Sequence, residues 1–138
     1  WIDECFAHED VETIVDALLR SETGEAKKAA AVVLTKSPSA LKVTLQSLRR
    51  ARELPELRSV LEQEYRVSLH ALTAPDFAEG VRAQVVDKDR NPQWTPATLA
   101  EVRQTDVDSY FAPLDGPDLW EKQQTSGSSD ELISQEQR

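Results

Sequence analysis

Residues 76–96 read DFAEGVRAQVVDKDRNPQWTP, a short helix that runs out into a cationic loop and is closed by an aromatic residue. Asp76 followed three positions later by Glu79 has the spacing of a capping box. Phe77, Val81, Gln84 and Val85 then follow the i, i+4, i+7, i+8 spacing of one helical face. A glycine in a helix interior costs roughly 1 kcal/mol against alanine, so Gly80 implies that another backbone or a ligand comes close there. Lys88 and Arg90 leave the helix, and Asn91-Pro92 turns the chain so that Trp94 can pack back.

The residues before this stretch have the same helical character. After a helical turn at 2–6, Val11, Ile14, Val15, Leu18 and Leu19 form an apolar stripe on a helix from about 9 to 20. An alanine-rich helix from about 24 to 35 carries Ala26, Ala29, Ala30, Val33 and Leu34, small enough for a neighbour to approach closely. Ser37-Pro38 supplies an N-cap and a proline at the first helical position, starting a helix that runs through Leu41, Leu45 and Leu48 to about 52. Pro55 opens the longest helix, to about 72, with Leu57, Val60, Leu61, Tyr65, Leu69 and Leu72 expected on its inner face and the helix itself expected at the centre. Thr95-Pro96 and Thr105-x-x-Asp108 mark two further starts, predicting short helices near 96–102 and 106–112. No alternating strand pattern occurs, so the fold class is all-α, several amphipathic helices without a sheet. From 113 the composition turns to Asp, Gly, Ser, Gln and Glu, which predicts a helical region over 1–112 and a polar, disordered tail over 113–138.

Composition narrows the function classes. A net charge of −9 argues against a general affinity for nucleic acid, which needs phosphates to be neutralised. No apolar run is long enough to span a bilayer. Cys5 is the single cysteine, and His8 and His70 lie far apart, so neither a disulfide framework nor a metal site is expected. Cys5 beside Phe6 reads as a small core residue rather than a nucleophile, and His70 as a packed or surface side chain. Glu64, on or near the inner face of the long helix, reads as half of a structural ion pair with Arg66, Arg82 or an arginine of the preceding helix. Arg49, Arg50 and Arg52 read as complements to the C-terminal end of their helix, and Glu9, Asp10 and Glu12 as complements to an N-terminal first turn.

The succession EGVRA at 79–83, DKDRNP at 87–92 and Trp94-x-Pro96 resembles the C-terminal end of the crotonase (enoyl-CoA hydratase/isomerase) superfamily, and its longer form is similar to the 3-hydroxyisobutyryl-CoA hydrolases. WIDECF at 1–6, KSPSALKVTLQSLRRAR at 36–52, LEQEYRVS at 61–68 and DVDSYFAPL at 106–114 follow in the order of that family. The resemblance covers residues 1–114. It implies the helical C-terminal region of a crotonase-fold protein, without the ββα core, in an enzyme of valine catabolism that hydrolyses a short β-hydroxyacyl-CoA thioester. In that family, core backbone N–H groups stabilise the thioester oxyanion, and a core glutamate and aspartate do the acid/base or nucleophilic work.

None of those residues falls in this chain, so the resemblance assigns it no catalytic residue and implies that it is inactive alone. By residue type alone Lys88 and Arg90 read as solvated loop cations, but the resemblance does imply that Lys88, or Arg90 in its place, contacts the nucleotide end of coenzyme A. That molecule enters as part of the substrate, no further cofactor being required. The implied partners are the acyl-CoA substrate and the missing N-terminal core, with self-association as another way to cover an apolar face, and no nucleic acid or membrane. The implied location is cytoplasmic, or mitochondrial in a eukaryote. An enoyl-CoA hydratase or isomerase, and a non-catalytic helical interaction module, are the alternatives.

Overall fold

The computed structural model describes residues 1–116 and 118–120, and among them there is helix and no strand. The all-α expectation holds. The helices are α1 (Ile2–Cys5), α2 (Val11–Arg20), α3 (Gly24–Val33), α4 (Pro38–Glu53), α5 (Leu57–Thr73), α6 (Pro75–Val81) and α7 (Gln104–Ser109). A π-helical turn, Arg82–Val86, extends α6, and a single 3-10 turn, Leu99–Glu101, precedes α7.

Local chemistry explains the well-marked ends. The Asp10 carboxylate accepts the backbone N–H of Thr13 at 2.7 Å and starts α2, and the Thr13 hydroxyl first, with that N–H second, holds the carboxyl below its ordinary range. Ser37 Oγ accepts from the Ala40 N–H at 3.1 Å, with Pro38 following, as the sequence pattern requires. Three expected starts lie elsewhere. Ala74 and Pro75 begin α6, so Asp76 is already inside the helix. The 3-10 turn is capped by Thr98 and Glu101, beyond the cis Thr95–Pro96 peptide. Asp106 closes back on the Arg103 N–H at 3.3 Å, so α7 begins before Thr105.

Two small cores hold the helices together. In the first, Cys5, Ile14, Leu18, Ala26 and Ala30 join α1, α2 and α3, the alanines letting α3 lie close to α2. Cys5 is thus a core residue. In the second, Val43, Val102, Val107 and Phe111 gather around α4, flanked by Val67 and Tyr110.

The central element is α4 rather than α5. Its Lys42 pairs with Glu12 of α2 at 2.7 Å. Arg49 donates to the carbonyls of His8, at 2.6 Å, and Glu9, and the Arg50 guanidinium lies 4.5 Å from the Phe111 ring centroid. Arg49 and Arg50 are therefore cross-braces, and Arg50 and Arg52 lie in the last turn of α4, where positive charge complements the helix end as expected.

Half of the stripe expected to face inward on α5 is exposed. Leu57, Leu61 and Leu72 are 72%, 42% and 54% exposed, and only Gln63 is buried on that helix, donating to the Ser47 carbonyl at 3.1 Å. Val60, Tyr65 and Leu69 of the same stripe are half-buried. Beyond residue 112 the chain still rests on α5: Arg66 pairs with Asp118 and Arg58 lies 5.0 Å from the Trp120 ring. The part of the expected tail from 121 to 138 lies outside the described residues.

Candidate functional site

The site is built from the C-terminal end of α6 outward. The π-helical turn widens the backbone, with the Asp87 N–H reaching the Arg82 carbonyl at 2.8 Å, a local irregularity common at functional positions. Lys88 and Arg90 follow in left-handed conformations, φ 56° and 55°. The Arg90 N–H returns to the Ala83 carbonyl at 3.0 Å and ties the loop to the helix.

Arg82 organises this loop. Its Nε and Nη2 grip Glu79 through two bonds of 2.8 and 2.7 Å. Its Nη1 donates to Asp87 at 2.7 Å and to Asp89 at 2.6 Å, and Nη2 also reaches the Asn91 carbonyl at 3.2 Å. A guanidinium has five N–H donors, and all five are used. Glu79 also accepts the Gln93 N–H at 2.7 Å, and Asp89 accepts that of Asn91 at 2.9 Å.

The charges respond accordingly. Arg82 first, and the Gln93 N–H second, hold the Glu79 carboxyl at about 2. Asp89 is lowered by Arg82 and then by the Asn91 N–H, and the guanidinium's own pKa is raised by Glu79, Asp89 and Asp87 in that order. The expected Asp76–Glu79 box is absent because both carboxylates are engaged elsewhere. Asp76 accepts from Ser37 Oγ at 2.5 Å and from the Thr95 N–H at 2.8 Å, pinning the loop to the start of α4.

Beside the loop runs an apolar groove of about 530 Å³, lined by Phe77, Val81, Val85 and Trp94, with Ala40 and Ala71 opposite. Trp94 packs back as its sequence position suggests, donating its indole N–H to the Thr35 carbonyl at 3.1 Å. Its ring is what approaches Gly80, and a Cβ placed there would stand 3.5 Å from it, an ordinary contact. The expected backbone or ligand neighbour is thus a tryptophan edge. Tyr110 lines the same groove, its hydroxyl pKa raised by burial and then by Asp76.

Lys88 and Arg90 are both exposed, and among the described residues no ion pair reaches either. The structure brings them together on one loop, two positions apart. Glu64 is exposed and unpaired among the described residues, because Arg66 is taken by Asp118 and Arg82 by the loop acids. His70 is half-buried, with Nε2 3.1 Å from the Ala112 carbonyl. The described residues contain no group of three His, Cys, Asp or Glu side chains able to hold a metal, and no helix long and apolar enough to cross a membrane. Sequence reasoning considered Arg82 only as a partner for Glu64 and passed over its place in the loop. Its signal was the i, i+3 spacing from Glu79 together with two further acids within seven residues.

The chain matches the family described as enoyl-CoA hydratase/isomerase over residues 1–111. It is 42% identical over 114 residues to a protein of Dictyostelium discoideum named 3-hydroxyisobutyryl-CoA hydrolase, mitochondrial, a match covering 82% of this chain and 30% of that protein. Among solved structures it is similar to a carnitinyl-CoA dehydratase from Mycobacterium thermoresistibile, with a TM-score of 0.80 and 50% identity over 86% of this chain and 34% of the other. An enoyl-CoA hydratase from Rhodobacter sphaeroides gives a TM-score of 0.75 and 37% identity over 82% of this chain and 33% of that one. The chain therefore spans about a third of the length of the relatives it matches.

Proposed function

We propose, since this chain belongs to the enoyl-CoA hydratase/isomerase family, that it is the C-terminal helical segment of an acyl-CoA thioester hydrolase of the 3-hydroxyisobutyryl-CoA type. In this reading the segment closes over the active site of a catalytic core and supplies cations to the nucleotide end of coenzyme A. The observation that carries it is the pair Lys88 and Arg90, exposed and without an ion pair among the described residues although two aspartates lie on the same loop. A phosphate ester is the natural counter-ion for such a pair.

The uncovered leucines of α5 and the open groove beside α6 support the packing of this segment onto a core. The name of the Dictyostelium relative supports hydrolysis and, in a eukaryote, mitochondrial action; a place in valine catabolism rests on the family resemblance alone. No residue here is assigned to the bond-breaking step, and the segment alone is inactive.

The second reading is a hydratase or isomerase of the same family, favoured by the names of the two structural neighbours. It needs the same cations, because both classes hold coenzyme A, and differs in what the core does. The experiment is a comparison of substrates with the enzyme that carries this segment. Lys88→Ala and Arg90→Ala are expected to raise the KM for a CoA thioester about tenfold each while leaving that for the pantetheine thioester unchanged. Equal constants for wild type and both variants would remove the cations from the site. Release of free CoA from 3-hydroxyisobutyryl-CoA, against hydration of an enoyl-CoA, separates the two chemistries.

A further inference from the structure

Lys88 and Arg90 share their loop with Asp87 and Asp89, so Asp87-Lys88-Asp89-Arg90 is neutral as a sequence. A neutral alternation of this kind is a poor anion site, because each cation has a carboxylate next to it in the chain. The structure breaks the alternation. Both aspartates turn to the single Nη1 of Arg82, at 2.7 and 2.6 Å, while Glu79 occupies the other edge of the same guanidinium. Asn91 and Gln93 fix this arrangement from the far side, their N–H groups held by Asp89 and Glu79. Lys88 and Arg90 are left exposed, with no carboxylate of the described residues paired to them.

We infer that Arg82 is a positioning residue for anion binding by this loop: it sequesters Asp87 and Asp89, and so keeps the charges of Lys88 and Arg90 available to a phosphate ester. Arg82 does not itself touch the ligand, since its five donors are already spent within the protein. The inference rests on the reading of Lys88 and Arg90 as phosphate-binding cations and adds the group on which their availability depends. Without Arg82, the two carboxylates are free to swing toward their neighbours, and any anion must then compete with them.

The test uses this chain and adenosine 3′,5′-bisphosphate, titrated at low ionic strength and followed through the backbone amide resonances of residues 82–94. Wild type is expected to bind weakly, with shifts centred on Lys88 and Arg90. Arg82→Gln is expected to weaken binding about fivefold to tenfold, the scale of two competing exposed ion pairs. Arg82→Gln combined with Asp87→Asn and Asp89→Asn is expected to recover most of the affinity, because the competitors are gone. That recovery is the discriminating result, since a merely structural role for Arg82 would leave the triple variant as weak as the single one.

Unchanged affinity in Arg82→Gln, or no recovery in the triple variant, overturns the inference. Absence of any loop shift with wild type instead removes the phosphate-binding reading beneath it, so the two failures are distinguishable. Arg82→Lys serves as the companion variant. It keeps the charge but has three donors for five acceptors, and is expected to fall between wild type and Arg82→Gln.

Discussion

Trp94 donates its indole N–H to the carbonyl of Thr35, 59 residues earlier in the chain, at 3.1 Å. The bond fastens the cationic loop to the turn between α3 and α4, and the same indole ring lies against Gly80 of α6. Trp94→Phe keeps most of the apolar contact and removes the donor. The expected loss is about 0.5–1.5 kcal/mol in urea unfolding, with α2 and α3 unaffected by hydrogen exchange. A loss within error would mean that water replaces the indole at no cost.

Gly80 offers the opposite sign. A methyl group at that position meets only the Trp94 ring edge at van der Waals distance, and the backbone there is helical. Gly80→Ala is therefore expected to stabilise the protein by about 0.5–1 kcal/mol. A fall in the unfolding midpoint would reveal a tighter contact than the ring edge provides.

The loop should respond to acid through Glu79. Its carboxyl is held at about 2 in the folded protein against an ordinary 4.5. A depressed pKa means that the folded state prefers the ionised form, so this contribution is complete above pH about 4.5 and is lost as the pH falls through about 2. Asp89, also lowered by Arg82, acts in the same direction. Titration of the Glu79 side-chain carbon resonance is expected to show its midpoint near 2, moving back toward 4.5 in Arg82→Gln. An unshifted midpoint in wild type would show that the Arg82 bonds are not maintained in solution.

In the first core, Leu18 is fully buried among Cys5, Ile14, Ala26 and Ala30. Leu18→Ala is expected to cost about 2–5 kcal/mol, enough to threaten folding of so small a core. Leu57→Ala, at a position 72% exposed, is expected to change the stability of this chain by less than about 0.5 kcal/mol. Comparable costs at the two positions, measured by urea unfolding, would show that the α5 face is covered in solution.

Most elements were legible because their signals are local. Ser37-Pro38 announces its helix through one hydroxyl and one ring, and the stripe on α2 needs only the 3.6-residue period. Leu19 is the exception on that stripe, exposed at its edge. The place of α5 was not legible, since an apolar face looks the same whether or not its partner lies in the same chain. At the site, type and spacing leave Lys88 and Arg90 as two loop cations and only the family resemblance gives them a role, whereas Trp94 could be placed by the turn before it. The role of Arg82 was hidden because it depends on a π-helical turn that brings Asp87 and Asp89 back over the helix. The spacing Asp76-x-x-Glu79 misled for the converse reason: Ser37 and Thr95 claim the first carboxylate, and Arg82 the second.

The left-handed backbone at Lys88 and Arg90 restricts which amino acids those two positions can accept. Valine, isoleucine and threonine are close to barred there, because a branched Cβ collides with the neighbouring carbonyl. Glycine and asparagine fit with least strain, yet neither carries a charge. Drift toward the easier residues would relax the chain and erase its cationic face at the same time. Long unbranched side chains ending in a positive group are the narrow class that meets both demands, and lysine and arginine are its two natural members.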